Sequence, residues 1–138
     1  MTKLLFVCSG NSIRSQMAEG FARQLSNGQH EIKSAGIHPI GIHPAAVASM
    51  KEVGIDIADN DCTLLSKSLL NWADCIVTLC NNARGNCPPI PNGVRHIHWD
   101  VQNPDAAPAP PEIRQQTYAR VRDDIRQRVT ELLKTLET

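Results

Sequence analysis

Residues 3–25 constrain the fold more than any other stretch. KLLFV at 3–7 is an apolar run of strand length, and Ile13, Met17, Phe21 and Leu25 then recur every four positions as one helical face. The residues between, CSGNSIR, therefore join a strand end to a helix N-terminus, with Cys8 opening the loop and Arg14 closing it six positions later. Gly10 and Asn11 tolerate positive φ, so the loop can turn its N–H groups toward one point, where the unpaired N–H groups of the helix also aim. A tetrahedral oxyanion suits such a nest. Arg14 adds a planar two-pronged clamp that lysine cannot reproduce. The same positive field favours a thiolate at Cys8, and Ser15 is near enough to donate a hydrogen bond to that sulfur. Gly10, Asn11, Ser12, Ile13, Arg14 and Ser15 are the expected anion-binding residues.

The remaining pattern alternates strands with helices. Short strands are expected at 31–35, 75–79 and 94–97, and helices at 43–53, 64–72 and 111–136. The last helix carries the stripe Ile113, Tyr118, Val121, Ile125, Val129, Leu132 and Leu136. This order predicts an α/β fold, a single-domain parallel four-stranded sheet with helices on both faces, spanning residues 1–138. Ligands of such sheets bind beyond the carboxyl ends of the strands. Cys8 and Cys80 both fall at such ends, so they can share one site despite their separation. The Pro-rich stretch 103–111 reads as a loop.

Composition narrows the function. Fourteen basic and fourteen acidic side chains cancel, which argues against nucleic acid or an anionic membrane as partner. Arg114, Arg120, Arg122, Arg126 and Arg128 are interleaved with acidic and apolar positions and read as a solvated helix face. The first apolar run is too short for a leader and no run is long enough to span a bilayer, so a cytoplasmic monomer is expected. Five irregularly spaced cysteines, an odd number, argue for chemistry over a disulfide framework.

Cys80 closes the third strand, and Cys87 follows after the polar, glycine-containing segment NNARGN. That segment reads as flexible enough to bring the two sulfurs together or apart, although a bond needs Cα atoms within about 7 Å. The pair suggests a redox relay. Zinc is the competing reading, but two ligands seven positions apart without a second knuckle make a poor metal site. Cys62 and Cys75 read as bystanders, and His38, His43, His96 and His98 as structural or surface residues.

At this point the chain resembles the thioredoxin-coupled arsenate reductases, which share the fold of the low-molecular-weight protein tyrosine phosphatases. The segments CSGNSIRSQMAEGFA, SAGI, HPAAVASMKEVGIDI, VTLCNNARGNCP, and HW followed by NP carry the likeness. It implies a phosphatase-like anion loop after the first strand, arsenate as substrate, and Cys8, Cys80, Cys87 and Arg14 as catalytic residues. The implied relay runs from an adduct on Cys8 through Cys80 to Cys87, with thioredoxin as electron donor and no tightly bound cofactor. The alternatives are a tyrosine phosphatase and a non-catalytic oxyanion or redox sensor.

Two positions depart from the pattern. An Asp immediately before Pro serves these families as general acid, and here that position is Asn103, which cannot transfer a proton usefully; Asp105 or Asp100 is the possible substitute. Some reductases bind potassium beside the anion loop. The matching positions are Asn11, Glu19 and Ser34, but an expected acidic residue reads Thr63, with Asp61 two positions earlier.

Overall fold

The computed structural model describes residues 1–106 and 108–136. Ala107, inside the expected Pro-rich loop, and the last two residues of the expected domain lie outside the described residues. The elements are β1 (Lys3–Cys8), α1 (Arg14–Ser26), β2 (Glu31–Gly36), α2 (Pro44–Lys51), α3 (Lys67–Trp72), β3 (Cys75–Thr78), α4 (Asn81–Asn86), β4 (Arg95–His98) and α5 (Pro111–Thr135). The four strands are all parallel, in the order β2-β1-β3-β4.

That order fixes where the helices lie. The chain steps one way from β1 to β2 and the other way from β2 to β3, so right-handed crossovers put α1 and α3 on opposite faces. α1, α2 and α5 pack together on one face, while α3 packs against β1. Covered on both sides, β1 is a continuous apolar run with Leu4 to Val7 fully buried. The carboxyl ends of β1 and β3, neighbours from which the chain departs in opposite directions, form the topological switch point where α/β sheets bind ligands.

Several sequence expectations change. The segment after Cys80 is a short helix, not a free loop. It shows no apolar period because only Ala83 is buried, and its turns are held instead by Arg84 to Asn81 and Asn86 to Asn82 hydrogen bonds. The expected helix at 64–72 begins only at Lys67, with Ser66 as its N-cap; Leu64 is exposed and bridges to Gly36. Leu25 and Ile113 keep helical spacing but lie at helix ends past the core, and both are exposed. Arg122 is not on a solvated face: it is buried, and its Nη1 donates to the Ser49 carbonyl at 2.9 Å and reaches Glu52 at 3.4 Å.

Candidate active site

The loop between β1 and α1 is built with its carbonyl oxygens turned away from the pocket. Those of Cys8, Ser9, Gly10 and Ser12 accept hydrogen bonds from the N–H groups of Ile37, His38, Ile40 and His43. Among the described residues, no backbone N–H from Gly10 to Ser15 has such a partner. These amides are left available to a ligand, and Asn11 takes the left-handed conformation, with φ of 48°. This geometry requires Gly36 beside it, since a Cβ there would lie 2.6 Å from the Asn11 nitrogen. Gly36→Ala should push the loop outward and lower phosphate affinity about 10- to 100-fold. Titration calorimetry checks this, and an unchanged affinity would contradict the account.

A buried hydrogen-bond chain orients the sulfur. Asn11 Nδ2 donates to Ser15 Oγ at 2.8 Å and to Ser34 Oγ at 2.9 Å, while its Oδ1 accepts from the Thr63 N–H. Ser34 in turn donates to Glu19 Oε1 at 2.7 Å. Ser15 Oγ lies 2.8 Å from Cys8 Sγ, so that its hydrogen is placed to stabilise a Cys8 thiolate, which can only accept. Arg14 is anchored by one donor, Nη1 to the Val101 carbonyl at 3.1 Å, which leaves the rest of its guanidinium available to an anion.

Cys8 and Arg14 open into a cavity of about 290 Å³ that His38, Ile40, His43, Asn103 and Asp105 also line. Cys80 and Cys87 are not among its lining residues; they are the two caps of α4. Cys80 is buried and its sulfur accepts from the Ala83 N–H at 3.4 Å. Asn82 on the same helix donates to Ser9 Oγ at 2.7 Å and ties α4 to the anion loop. Cys87 is half-buried, and burial pushes its thiol above the usual range. All five cysteines are free thiols.

The profile of the low molecular weight phosphotyrosine protein phosphatases matches residues 3–138. The chain belongs to that family. An arsenate reductase of Bacillus subtilis is 42% identical over 132 residues that cover 96% of this chain and 95% of the relative. Among solved structures, an arsenate reductase in the phosphate-binding state is 32% identical with a TM-score of 0.79, covering 98% of both chains. An arsenate reductase in the oxidized state is 31% identical with a TM-score of 0.81, covering 99% of this chain and 100% of the other.

Asn103 lines the cavity, but its Oδ1 accepts from the Asp105 N–H at 2.9 Å and so shapes the loop. Asp100 is exposed and is not among the cavity-lining residues. Asp105 is among them, held by Arg114 Nη2 at 2.8 Å and facing His43 Nε2 at 3.4 Å. His38 and His43 thus wall the cavity, which residue type and spacing did not reveal. His96 and His98 lie apart from it on β4, joined by Thr78 Oγ1 at 3.1 and 2.7 Å. Burial, reinforced by Arg84, lowers the pKa of both rings.

The three positions matched to a potassium site do meet, but as a closed hydrogen-bond network. Both amide hydrogens and the Oδ1 of Asn11 are engaged by protein groups, and Thr63 contributes an N–H donor where an acid would be needed. Glu19 already faces a cation, Arg23 Nε at 3.1 Å. The residues present do not fit a potassium ion.

Proposed function

We propose that this chain reduces arsenate to arsenite with Cys8 as nucleophile and Cys80 and Cys87 as a disulfide relay, residues 1–138 acting as one catalytic domain. The observation that carries the reading is the pairing of two features at one switch point. Cys8 opens the loop at the end of β1, and Cys80, a second buried thiol, caps a helix that Asn82 ties to the same loop. A phosphatase has no use for the second.

The chemistry balances as follows. Arsenate binds the N–H groups of residues 10–15 and the Arg14 guanidinium. The Cys8 thiolate attacks arsenic, and an arsenate hydroxyl takes a proton from solvent and leaves as water, giving a thiol-arsenate adduct. The Cys80 thiolate then attacks the Cys8 sulfur. As the sulfur–arsenic bond breaks, its electron pair stays on arsenic, arsenite departs, and a Cys8–Cys80 disulfide remains. The Cys87 thiolate next attacks Cys80 and releases Cys8 as a thiolate, leaving a Cys80–Cys87 disulfide. A thioredoxin dithiol reduces this last disulfide by two electrons. We place the protein in the cytoplasm as a monomer; no helix of the described residues is long and apolar enough to cross a membrane.

The deciding assay is arsenate-dependent NADPH oxidation by the fully reduced protein with thioredoxin and thioredoxin reductase. Sustained turnover is expected. Aryl phosphate hydrolysis that survives Cys80→Ser, without arsenate reduction, would instead make the protein a phosphatase. Anion binding with no arsenite formed under any thiol donor would make it a sensor.

A further inference from the structure

We propose that Asp105 is a specificity residue that accepts a hydrogen bond from the hydroxyl of the bound oxyanion, selecting hydrogen arsenate and hydrogen phosphate over sulfate. The inference rests on the oxyanion reading of the Cys8 loop above and deepens it.

The loop alone cannot make this distinction. Backbone N–H groups and the Arg14 guanidinium are all donors, and they serve any tetrahedral dianion of the right size. Discrimination needs an acceptor on the opposite wall. Asp105 is the only carboxylate among the cavity-lining residues.

The groups around Asp105 fix it in that role. Arg114 Nη2 donates to its Oδ1 at 2.8 Å. His43 Nδ1 accepts from the Ala45 N–H at 3.0 Å as the N-cap of α2, and its Nε2 lies 3.0 Å from Arg114 Nη2. That Nε2 faces Asp105 Oδ2 at 3.4 Å. The Arg114 guanidinium can only donate, which suits an ionised acceptor and not an acid with a proton to give. Each carboxylate oxygen keeps a further lone pair, and the side chain remains 38% exposed, open to the cavity.

A carboxylate facing an anion is repulsive unless the anion supplies a hydrogen to the contact. Hydrogen arsenate and hydrogen phosphate each carry one at neutral pH. Sulfate, fully deprotonated there, has none and meets only the repulsion. Sites built around a ligand hydroxyl reject analogues that lack it by about 10⁴-fold or more when the polar groups are buried. For a half-exposed carboxylate already paired to a guanidinium, a preference of about 10- to 100-fold is expected.

The test measures how phosphate and sulfate protect Cys8 from iodoacetamide at pH 7.5, with peptide-level mass spectrometry separating Cys8 from the other thiols. In the unaltered protein phosphate should protect at least about tenfold better than sulfate. Asp105→Asn keeps an acceptor for Arg114 and adds a donor, so sulfate should gain on phosphate and the ratio should fall toward one. Asp105→Ser, of smaller volume, should move the ratio the same way. Loss of the carboxylate charge alone would raise both affinities and leave the ratio unchanged; that result, or no preference in the unaltered protein, overturns the proposal. Failure of either anion to protect Cys8 at all would instead overturn the oxyanion reading of the loop, and the proposal with it.

Discussion

Cys8→Ser is expected to abolish arsenite production, by roughly a million-fold as for other lost nucleophiles, while anion binding survives. The two outcomes separate because different groups supply them. Binding comes from the N–H groups of residues 10–15 and from Arg14, none of which the substitution touches. Chemistry needs a sulfur: a serine hydroxyl is a far weaker nucleophile at neutral pH, and any ester it formed with arsenic could not pass into a disulfide. The hydroxyl can still take the hydrogen bond from Ser15 that Cys8 Sγ takes at 2.8 Å, so the loop should keep its shape. Arsenite assay and phosphate calorimetry on the same preparation check both halves. Residual reduction by this variant would remove Cys8 from the mechanism, and loss of binding would show that the sulfur holds the nest together.

Cys87→Ser is expected to release one arsenite per protein molecule and then stop. After the first turnover the proposed Cys8–Cys80 disulfide remains, and both residues are almost fully buried, at 2% and 7% exposure. A protein reductant cannot reach that bond, and the thiol that would open it from within is gone. Rapid-quench arsenite measurement should show a burst equal to the protein concentration, and a peptide map of the stalled protein should show Cys8 joined to Cys80. Sustained turnover with thioredoxin would exclude Cys87 as the resolving thiol. The intact protein has its own constraint: burial pushes the Cys87 thiol above its usual range, so Cys87 attacks readily only once it leaves its packed position.

The parts of the fold that were legible in the sequence are those written in local pattern. β1 shows as an apolar run, α1 and α5 as four-residue periodicities, and the anion loop as the polar, glycine-containing link between strand and helix. Burial of both sheet faces follows from strand–helix alternation alone. What stayed hidden depends on contacts between distant residues. Gly36 matters because it lies against Asn11, and His43, Asp105 and Arg114 converge although His43 and Arg114 are 71 positions apart. Nothing in their spacing marks them. Arg122 was misread because an interleaved arginine looks the same whether its guanidinium meets water or the carbonyl end of α2. α4 escaped notice because its helix-forming interactions are polar and its one buried residue leaves no period to detect.

The two caps of α4 have a consequence of their own. An α-helix rises about 1.5 Å per residue, so Cys80 and Cys87, seven positions apart, sit about 10 Å from each other while the helix stands. A disulfide cannot bridge that gap, so the helix and the Cys80–Cys87 bond are alternative states of one segment. The oxidation state is thereby written into the shape of the surface. Under the proposed relay, a reductant would meet an unwound segment only when electrons are owed, and delivering them would remove it. Reduction of the proposed Cys80–Cys87 bond would let the six residues of α4 rewind.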